Sequence, residues 1–551
     1  MSRLAFTFRE DRPWPSLRLT SSAIVGHTTT ESAKIWVRVH AAGEYCLFVS
    51  EESFDRGLQP VEFQKGGFGQ GWVQFAGKQD PTPGAVLRQE IGYGTDATHV
   101  FEVEGLKAGK EYFYGLFSAD ADREERWEVG RDRVHRFRTQ AEGAEKIRFG
   151  IFSCHMPFQD RQVKNMHMWR FFREILETVD ADFVLGCGDQ VYTDGDDSVN
   201  IWSWLKSHKK EVLKLPVAEQ RQAMLSWYRD IYRGYWGDAE LRRVFRSFPT
   251  YMIWDDHEIM DGWGSYTDSE LSNVLDTWYE WENKKKNLAL AGRMFQAAKQ
   301  VYQEYQHGHN PKTPNGVYDY SFQWDRLGIF VLDMRGKRDF KAPQARILGL
   351  PQKKRFEKWL ESPKAASAKV LFVVAPVPVV HLKSFVSNYL DLPLLGIADD
   401  LRDGWEHESN WEERDWLLDQ VFQISHQRKQ TVVILSGDVH VGASFRLTRR
   451  AHPDAKVYQL TTSAITYCKS PGRLLRLAVA NRGELEYRKK GTPSPTKRVQ
   501  FHRLGKVFTA NNFAMVGVNI PAQGEAELYW DLYGAGEESD ELVRLNRLNL
   551  K

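Results

Sequence analysis

Four hydrophobic segments of this sequence each end in side chains that bind metal ions. The segments are FGIFSCH, DFVLGCGDQVYTD, TYMIWDDHE and TVVILSGDVH. Their last residues include, in that order, Cys154 and His155; Asp189, Tyr192 and Asp194; Asp255, Asp256, His257 and Glu258; Asp438 and His440. A single Asp after a strand is more often a helix cap or a turn former. Four such ends in one chain predict a metal centre.

The ligand types indicate two kinds of metal. The Cys154 thiolate, the Tyr192 phenolate and the His440 imidazole suit Fe³⁺ or another transition metal. The carboxylates of Asp256 and Asp438 are hard oxygen donors, which suit Ca²⁺, Mg²⁺ or Mn²⁺. The sequence therefore favours a centre with two different ions over a site for a single ion.

The elements that must position these ligands follow an alternating pattern. From IRFGIFS at 147–153 onward, apolar strands alternate with helical patterns. This alternation predicts an α/β domain over residues 141–551, with helical insertions near 200–245 and 268–308. Sites in such sheets gather at the carboxyl ends of strands, where the four segments end.

The chain before residue 141 has a different pattern. SAKIWVRVH alternates apolar and polar residues through Ile35, Val37 and Val39, as a half-buried strand does. Further strand-like runs surround the Gly-containing turn in THVFEVEGLKAGKEYFYGLF. We expect a small all-β sandwich of fibronectin or Ig-like type over residues 18–140, after an N-terminal extension at 1–17.

The order of the motifs resembles one family. GDQVY, then WDDHE, then GDVH is similar to the PhoD-like (alkaline phosphatase D) branch of the calcineurin-like metallophosphoesterases. Further matches are LDMRG at 332–336, LGLPQKKRFEKWL at 348–360 and DGW at 403–405. The resemblance implies an αββα metallophosphoesterase sandwich preceded by a small β-sandwich, and metal-dependent hydrolysis of phosphoric esters.

The resemblance also implies which residues hold each metal. Fe³⁺ would be held by Cys154, Asp189, Tyr192 and His440, and Ca²⁺ by Asp189, Asp256 and Asp438. Asp189 is then the natural bridge, and Mn²⁺ or Mg²⁺ is an alternative in the oxygen-rich site.

The sequence departs from the wider superfamily at two of its motifs. The first motif is usually Asp-x-His and here reads Ser153-Cys154-His155, and in the last motif Asp438 replaces the first of two histidines. The second metal thus gains a carboxylate and loses an imidazole, which favours a hard ion over a di-zinc site. The role of His155 stays open.

A mechanism follows from two neighbouring cations. They can clamp the phosphoryl oxygens and lower the pKa of a bound water, so that hydroxide attacks phosphorus in line. His257, next to Asp256, is the candidate general acid to the leaving alkoxide. Arg335 in LDMRG is a candidate phosphate clamp through bidentate hydrogen bonds, with a structural ion pair as the alternative.

The sequence indicates the type of reaction more closely than the class of substrate. The residues do not separate a phosphomonoesterase from a phosphodiesterase, including one of phospholipase D type that acts on phospholipid head groups. A catalytically silent binding protein on the same fold predicts missing ligands, and here the set is complete for this branch. We therefore expect a phosphorylated small molecule or a phosphodiester as substrate.

Several residues have two interpretations. The acidic run of Asp194, Asp196 and Asp197 is either a solvated turn, which we favour, or an extra calcium site. The basic stretch at 481–503 is either a surface loop or a lid that steers an anionic substrate. The tryptophans in the helical regions either pack on the sheet or line a groove, and we favour packing. Asp255 is interpreted as a neighbour of the ligands.

Composition excludes several classes. Lys and Arg number 75, and Asp and Glu number 73, so a net charge of +2 gives no global attraction to nucleic acid. Four cysteines in 551 residues cannot form a dense disulfide framework. Cys46, Cys187 and Cys468 are interpreted as packing residues, with a Cys154–Cys187 redox link as a minor alternative. The N-terminus has no apolar run of signal-peptide length, and the longest apolar stretch, at 370–380, is half as long as a membrane-spanning helix; this predicts a cytoplasmic protein unless a leader has been removed.

Overall fold

The computed structural model describes residues 20–550 with several gaps. The gaps are 56, 130–134, 160–161, 196–199, 277–282, 341–344, 382–401, 468–478, 488–492, 522–523 and 536–540. The predicted N-terminal extension at 1–17, Cys468, Asp196 and Asp197 lie outside the described residues, as does part of the basic stretch.

The first part of the chain is built of antiparallel strands. They are β1 (Ser22–Thr28), β2 (Ser32–Arg38), β3 (Gly43–Ser50), β4 (Pro60–Gln64), β5 (Gly66–Phe75), β6 (Thr82–Ile91), β7 (Thr98–Glu104), β8 (Glu111–Ser118), β9 (Trp127–Val129) and β10 (His135–Arg138). One sheet has the order β1-β2-β7; the other has the order β10-β8-β3-β6-β5-β4, with β9 beside β8. Ile35 and Phe101 of the first sheet and Leu47 and Tyr112 of the second lie in one buried cluster. The two sheets therefore share a core.

The rest of the chain contains two larger sheets of mixed direction. Their strands, with one short hairpin, are β11 (Lys146–Phe152), β12 (Phe158–Gln159), β13 (Gln162–Val163), β14 (Phe183–Cys187), β15 (Thr250–Ile253), β16 (Tyr320–Trp324), β17 (Leu327–Val331), β18 (Val370–Val374), β19 (Thr431–Ser436), β20 (Ala443–Arg449), β21 (Lys456–Thr461), β22 (Arg482–Glu484), β23 (Val499–Arg503), β24 (Asn511–Asn519), β25 (Glu527–Ala535) and β26 (Val543–Leu550). The six-stranded sheet has the order β15-β14-β11-β24-β25-β26, and the eight-stranded sheet has the order β16-β17-β18-β19-β21-β20-β23-β22. Within them β11, β14 and β15 are parallel neighbours, and so are β17, β18, β19 and β21.

Nine α-helices lie within the described residues. They are α1 (His167–Thr178), α2 (Ile201–Lys214), α3 (Val217–Tyr235), α4 (Ala239–Phe245), α5 (Asp268–Val274), α6 (Lys284–Tyr305), α7 (Gly349–Leu360), α8 (Pro363–Ser367) and α9 (Trp411–Arg428). Helices α2 to α6 occupy the regions where insertions are predicted. Among the described helices, none has the length and apolar character needed to cross a membrane.

Aromatic contacts show how these layers pack. Between the two larger sheets, the rings of Phe149 and Phe372 lie 5.2 Å apart. Phe172 of α1 contacts Phe513 of the six-stranded sheet at 4.8 Å, and Phe356 of α7 contacts Phe330 of the eight-stranded sheet at 5.0 Å. The sheets thus face each other, with helices packed against both. The prediction of an α/β fold is confirmed.

The first two sheets support the inserted helices from the side. The Trp36 indole donates to the Glu304 carbonyl at 2.7 Å, and the Arg229 guanidinium forms two hydrogen bonds with the Glu304 carboxylate, at 2.6 and 2.8 Å. Two residues of this region then reach the segment after β15. The Tyr228 hydroxyl donates to the Ile259 carbonyl at 2.6 Å, and the Gln306 amide donates to Glu258 at 3.1 Å. The helical layer thereby helps to position the WDDHE loop.

Candidate metal centre

The carboxyl ends of the parallel neighbours β11, β14 and β15 lie close to the carboxyl end of β19, which belongs to the other large sheet. The loops after β11, β14, β15 and β19 carry the four predicted ligand segments. The loops lie so close that a Cβ atom added at Gly437 would come within 2.8 Å of the Cys187 carbonyl oxygen. Gly188 has φ of 93°, and a Cβ there would lie 2.7 Å from the Cβ of Asp255. Glycine at these two positions allows the loops to converge.

Four predicted ligands have a strained backbone. Of the ten non-glycine residues with positive φ among those described, four are Cys154 (52°), Asp189 (59°), Asp438 (66°) and His440 (52°). Side chains other than glycine rarely adopt this left-handed region, and such strain clusters at functional sites. At three of these positions the side chains meet: the Cys154 thiol contacts Asp189, and the Asp189 carboxylate groups with that of Asp438.

Asp189 is the centre of the contacts. Its Oδ2 accepts hydrogen bonds from the Tyr192 hydroxyl at 3.2 Å and from the Cys154 thiol at 3.4 Å. The Ser463 hydroxyl donates to Cys154 Sγ at 2.9 Å and accepts from the His440 N–H at 3.0 Å. The structure thus brings Cys154, Asp189 and Tyr192 into direct contact. Ser463 connects them to the backbone N–H of His440, and not to its imidazole.

Carboxylates form the second part of the cluster. One ligand atom from each of Asp189, Asp255, Asp256 and Asp438 lies within 4.8 Å of the others, and Asp189, Asp256 and His257 form a second such group. Asp189 Oδ1 and Asp255 Oδ2 are buried and accept no hydrogen bond from any described residue. Burial, together with the neighbouring carboxylates, raises the pKa of Asp189 and of Asp438 well above the ordinary value. Buried oxygens of like charge at this spacing fit cations.

The soft donors fit a cation at the same place. Burial and then the Asp189 carboxylate raise the pKa of the Cys154 thiol and of the Tyr192 hydroxyl. Both groups donate to Asp189 Oδ2, and an ion held by all three would replace those two hydrogens. The His440 imidazole stacks on the Tyr467 ring at 3.5 Å and 12°, outside both carboxylate groups.

His257 is held by an aspartate whose role the sequence did not indicate. His257 Nδ1 lies 2.7 Å from Asp194 Oδ1, and the imidazole stacks on the Tyr192 ring at 4.0 Å. The Asp194 side chain is 1% exposed, so the interpretation of Asp194 as part of a solvated turn is wrong. Burial lowers the pKa of the His257 imidazole. The carboxylates of Asp194, Asp256 and Asp189 outweigh burial and raise this pKa well above 6.5. Sequence patterns miss this pair because it forms between two separate loops.

Arg335 is enclosed by carboxylates. Its Nε donates to Asp255. Its Nη1 donates to Asp403 Oδ1 at 2.5 Å and to the Trp263 carbonyl at 3.3 Å. Its Nη2 donates to the other carboxylate oxygen of Asp403 and lies 3.4 Å from Asp256 Oδ1. Its side chain has no exposed surface. This geometry favours the structural ion pair, the alternative that the sequence left open, because each nitrogen already faces an oxygen. Asp403 belongs to the DGW motif.

Glu258 organises two of the site loops. Its buried carboxylate accepts from the backbone N–H groups of Asp189 at 3.1 Å, Gln190 at 2.7 Å and Asp255 at 2.8 Å, and from the Gln306 amide. Burial raises its pKa to about 7. The sequence pattern places Glu258 at a strand end and assigns it no role. Its position as the last residue of the WDDHE motif is the feature that could have indicated one.

The remaining candidates have local roles. The His155 ring lies 2.8 Å from the Thr466 hydroxyl and 3.1 Å from the Tyr235 carbonyl, and burial lowers its pKa to about 4. Cys46, Cys154 and Cys187 are free thiols. Trp227 and Trp236 are fully buried in the main core, in accord with packing rather than a groove.

Comparisons with known proteins point to one family. The family model described as PhoD-like phosphatase matches residues 149–508, more than half of the chain. A solved structure of PhoD is 12% identical, with a TM-score of 0.60, and the match covers 99% of this chain and 94% of that chain. This structural similarity shows the shared fold.

Two other matches are weaker. The uncharacterized protein YGR266W of Saccharomyces cerevisiae is 24% identical over 335 residues, 49% of this chain and 46% of that protein. The match thus spans about half the length of this curated relative. The purple acid phosphatase PPD1 of yellow lupin is 11% identical, covering 93% of this chain and 71% of that chain; its TM-score of 0.47 carries no argument.

Proposed function

Because this chain belongs to the PhoD-like phosphatase family, we propose that it is a metal-dependent phosphoesterase whose site is the cluster around Asp189. The cluster of four buried or half-buried carboxylates, from Asp189, Asp255, Asp256 and Asp438, carries the proposal. Three of their buried oxygens, Asp189 Oδ1, Asp255 Oδ2 and Asp256 Oδ1, accept no hydrogen bond from any described residue. Such a cluster is costly without cations and well suited to neutralising a phosphoryl group with them.

The packing supports the finer assignment of the fold. The two facing sheets with helices packed against them support an αββα sandwich over residues 141–551. The two antiparallel sheets between Ser22 and Arg138 have their own shared core, which supports a separate β-sandwich domain over residues 18–140.

We assign the metals by the chemistry of the donors. Cys154, Asp189, Tyr192 and His440 would hold Fe³⁺, and Asp189, Asp256 and Asp438 would hold Ca²⁺, with Mn²⁺ or Mg²⁺ as alternatives in the second site. Bound there, the ions would supply charge neutralisation and an activated water for in-line attack on phosphorus. Asp255 faces the same carboxylates and is held by Arg335, so it adds negative charge to the oxygen-rich side.

Residues around the metals would complete the reaction. Asp194 fixes His257 through Nδ1, which leaves Nε2 for proton transfer to the leaving alkoxide. The grouping of His257 with Asp189 and Asp256 favours a second candidate role, that of a metal ligand. Arg335 would hold Asp255 and Asp256 in place; its role as a phosphate clamp stays a prediction.

Elemental analysis tests the metals. We expect the purified protein to contain iron and calcium and to hydrolyse p-nitrophenyl phosphate or bis-p-nitrophenyl phosphate.

A ferric–tyrosinate absorption band should disappear in Tyr192→Phe, because the phenolate oxygen is lost. Tyr467→Phe, at the neighbouring tyrosine, is the matched control and should keep the band. Zinc alone, or a band that survives in Tyr192→Phe, would contradict the assignment. Comparing monoester with diester rates decides the substrate class.

Asp194→Asn tests the orientation of His257. Removing the carboxylate that fixes Nδ1 should lower kcat about 10- to 100-fold, in the range of general acid catalysis, with a small change in KM. The measurement is steady-state kinetics on p-nitrophenyl phosphate and on phenyl phosphate. The leaving group of phenyl phosphate depends more on protonation, so kcat should fall further on phenyl phosphate. If His257 is instead a ligand, both substrates lose activity equally and the metal content falls.

A further inference from the structure

The loop after β21 reaches the proposed iron ligands, although it carries none of them. The N–H of Ile465 donates to the Ser153 carbonyl at 2.9 Å, and the N–H of Thr466 donates to the Cys154 carbonyl at 3.4 Å. Residues 462–467 therefore lie along the segment that contains Cys154. They form a fifth loop at the centre, which we call the β21 loop.

Ser463 of the β21 loop lies between two of the proposed ligands. Its hydroxyl donates to Cys154 Sγ at 2.9 Å and accepts from the backbone N–H of His440 at 3.0 Å. A hydroxyl has one hydrogen, and the bond from His440 uses a lone pair, so the hydrogen is available to the sulfur. Ser463 is 0% exposed, so bulk water does not compete for these bonds.

The position of Ser463 is fixed from the other large sheet by Asn512 of β24. The Asn512 amide donates to the Ser463 carbonyl at 2.6 Å, and Asn512 Oδ1 accepts from the Ser463 N–H at 3.1 Å and from the Thr462 hydroxyl at 2.7 Å. Ser463 follows β21 of the eight-stranded sheet, whereas Asn512 and Cys154 belong to β24 and to the end of β11 in the six-stranded sheet. These bonds therefore join the two sheets at the sulfur.

A hydrogen bond to a cysteine sulfur acts on any metal that the sulfur holds. It orients the sulfur and stabilises negative charge on it, and such bonds tune the reduction potential of metal sites with thiolate ligands. The Ser153 hydroxyl also lies 3.4 Å from Cys154 Sγ, but it donates to the Thr462 carbonyl at 3.1 Å. Ser463 is thus the closer of the two hydroxyl donors.

We propose that Ser463 is a positioning residue, which holds the Cys154 sulfur in place as a metal ligand and stabilises negative charge on it. The proposal rests on the proposed function, because it requires Cys154 to be a ligand. The described hydrogen bonds of the Ser463 side chain reach Cys154 and His440 and no carboxylate. Its effect is therefore directed at the ion that Cys154 holds rather than at the oxygen-rich site.

Co²⁺ is the probe for this role, because Co²⁺ bound by a thiolate has a charge-transfer absorption band from sulfur to metal. Titrating Co²⁺ into the chelator-treated protein, with Ca²⁺ present for the oxygen-rich site, gives an affinity from the growth of the band. Cys154→Ser identifies the band, because it removes the sulfur. The readout does not depend on hydrolysis.

Ser463→Ala should weaken Co²⁺ binding about 10- to 100-fold, the range for residues that hold a metal ligand in place. It should also shift the band to longer wavelength, because a sulfur that has lost a hydrogen-bond donor gives up an electron more readily. Ser463→Thr keeps the hydroxyl and should restore both values toward those of the wild type.

Ser436→Ala is the matched control. Ser436 ends β19 and is as buried as Ser463, and its hydroxyl has no hydrogen-bond partner among the described residues. This variant should keep the wild-type affinity and band. If Ser463→Ala keeps them too, even with a lower melting temperature, Ser463 has a structural role only and the proposal is overturned. An equal shift in the two alanine variants would overturn it as well.

Hydrolysis of p-nitrophenyl phosphate and bis-p-nitrophenyl phosphate, measured separately, distinguishes failure of this role from failure of the function. If the wild type shows the band, and Ser463→Ala shifts it, but neither ester is hydrolysed, the role of Ser463 stands and the proposed function fails. If the esters are hydrolysed but no band depends on Cys154, the phosphoesterase function stands and the role of Ser463 is overturned, because Cys154 is then not a ligand.

Discussion

Asp189→Asn should abolish phosphoester hydrolysis and remove most of the bound metal. Asp189 contacts Cys154 and Tyr192 on one side and groups with Asp256 and Asp438 on the other, so it is the residue shared by both proposed ions. The metal ions would supply several kcal/mol of charge stabilisation in the transition state. Each loss of about 1.4 kcal/mol lowers the rate tenfold. We therefore expect a loss of about a thousandfold or more in kcat/KM.

Stability gives an independent readout of the same substitution. After treatment with a chelator, Asp189→Asn should unfold at a higher temperature than the wild type, because one of the mutually repelling buried carboxylates has gone. On adding back metal, the wild type should gain stability by mass action and the variant should gain less. Differential scanning calorimetry with and without chelator measures both effects.

The control for Asp189→Asn is the same substitution on the surface. Asp454 is partly exposed and pairs with His426 and Lys429, and none of these three residues belongs to either group of proposed metal-binding carboxylates. Asp454→Asn should retain activity, metal content and the chelator response. Full activity with a full metal complement in Asp189→Asn would show that the centre lies elsewhere. Wild-type stability that does not respond to a chelator would contradict the need for cations.

The residues that sequence predicted best are those at the ends of buried strands. Asp189 and Asp438 follow apolar runs directly, so the strand pattern predicts that each lies at the carboxyl end of a buried strand. Their proximity also requires that the two larger sheets face each other, because β14 belongs to the six-stranded sheet and β19 to the eight-stranded sheet. The same reasoning indicated the α/β fold. It works because the hydrophobic run and the ligand are neighbours in sequence.

Residues that act across loops could not be predicted in this way. Asp194 reaches His257 over 63 positions, and Ser463 reaches Cys154 over 309. An acidic run after a strand has the same composition whether its carboxylate faces water or an imidazole. Arg335 is the converse case. It follows a strand and is a natural candidate for binding phosphate, but its guanidinium already donates hydrogen bonds to Asp255 and Asp403. Those aspartates are distant in sequence, so only the packing of the folded chain shows these bonds.

Glu258→Ala should be among the most destabilising single substitutions in the catalytic region. The Glu258 carboxylate is 1% exposed and accepts four hydrogen bonds, three from backbone N–H groups of the two loops that carry Asp189 and Asp255. Alanine leaves those buried donors unpaired, at a cost of about 1–3 kcal/mol each that partial relaxation reduces. We expect a total loss of about 3–5 kcal/mol in the free energy of unfolding, measured by urea titration.

The chemistry of the side chain predicts a graded response. Oε1 accepts from Gln190 and Gln306, and Oε2 accepts from Asp189 and Asp255. In Glu258→Gln one oxygen becomes an amide nitrogen, which faces two donors instead of accepting from them. The glutamine variant should therefore lose about half as much stability as the alanine variant, and the comparison separates lost hydrogen bonds from lost volume.

Activity should fall with the hydrogen bonds. Glu258 holds the N–H of Asp189, whose φ of 59° is maintained only while its surroundings enforce it. Both variants should bind metal more weakly than the wild type, alanine more so than glutamine. Glu177→Ala, which removes an exposed carboxylate paired with Arg173 on α1, is the control and should cost less than about 1 kcal/mol. If Glu258→Ala were as stable as this control, the four hydrogen bonds would not hold the loops. The strained conformation of Asp189 would then have to be maintained by the strand ends alone.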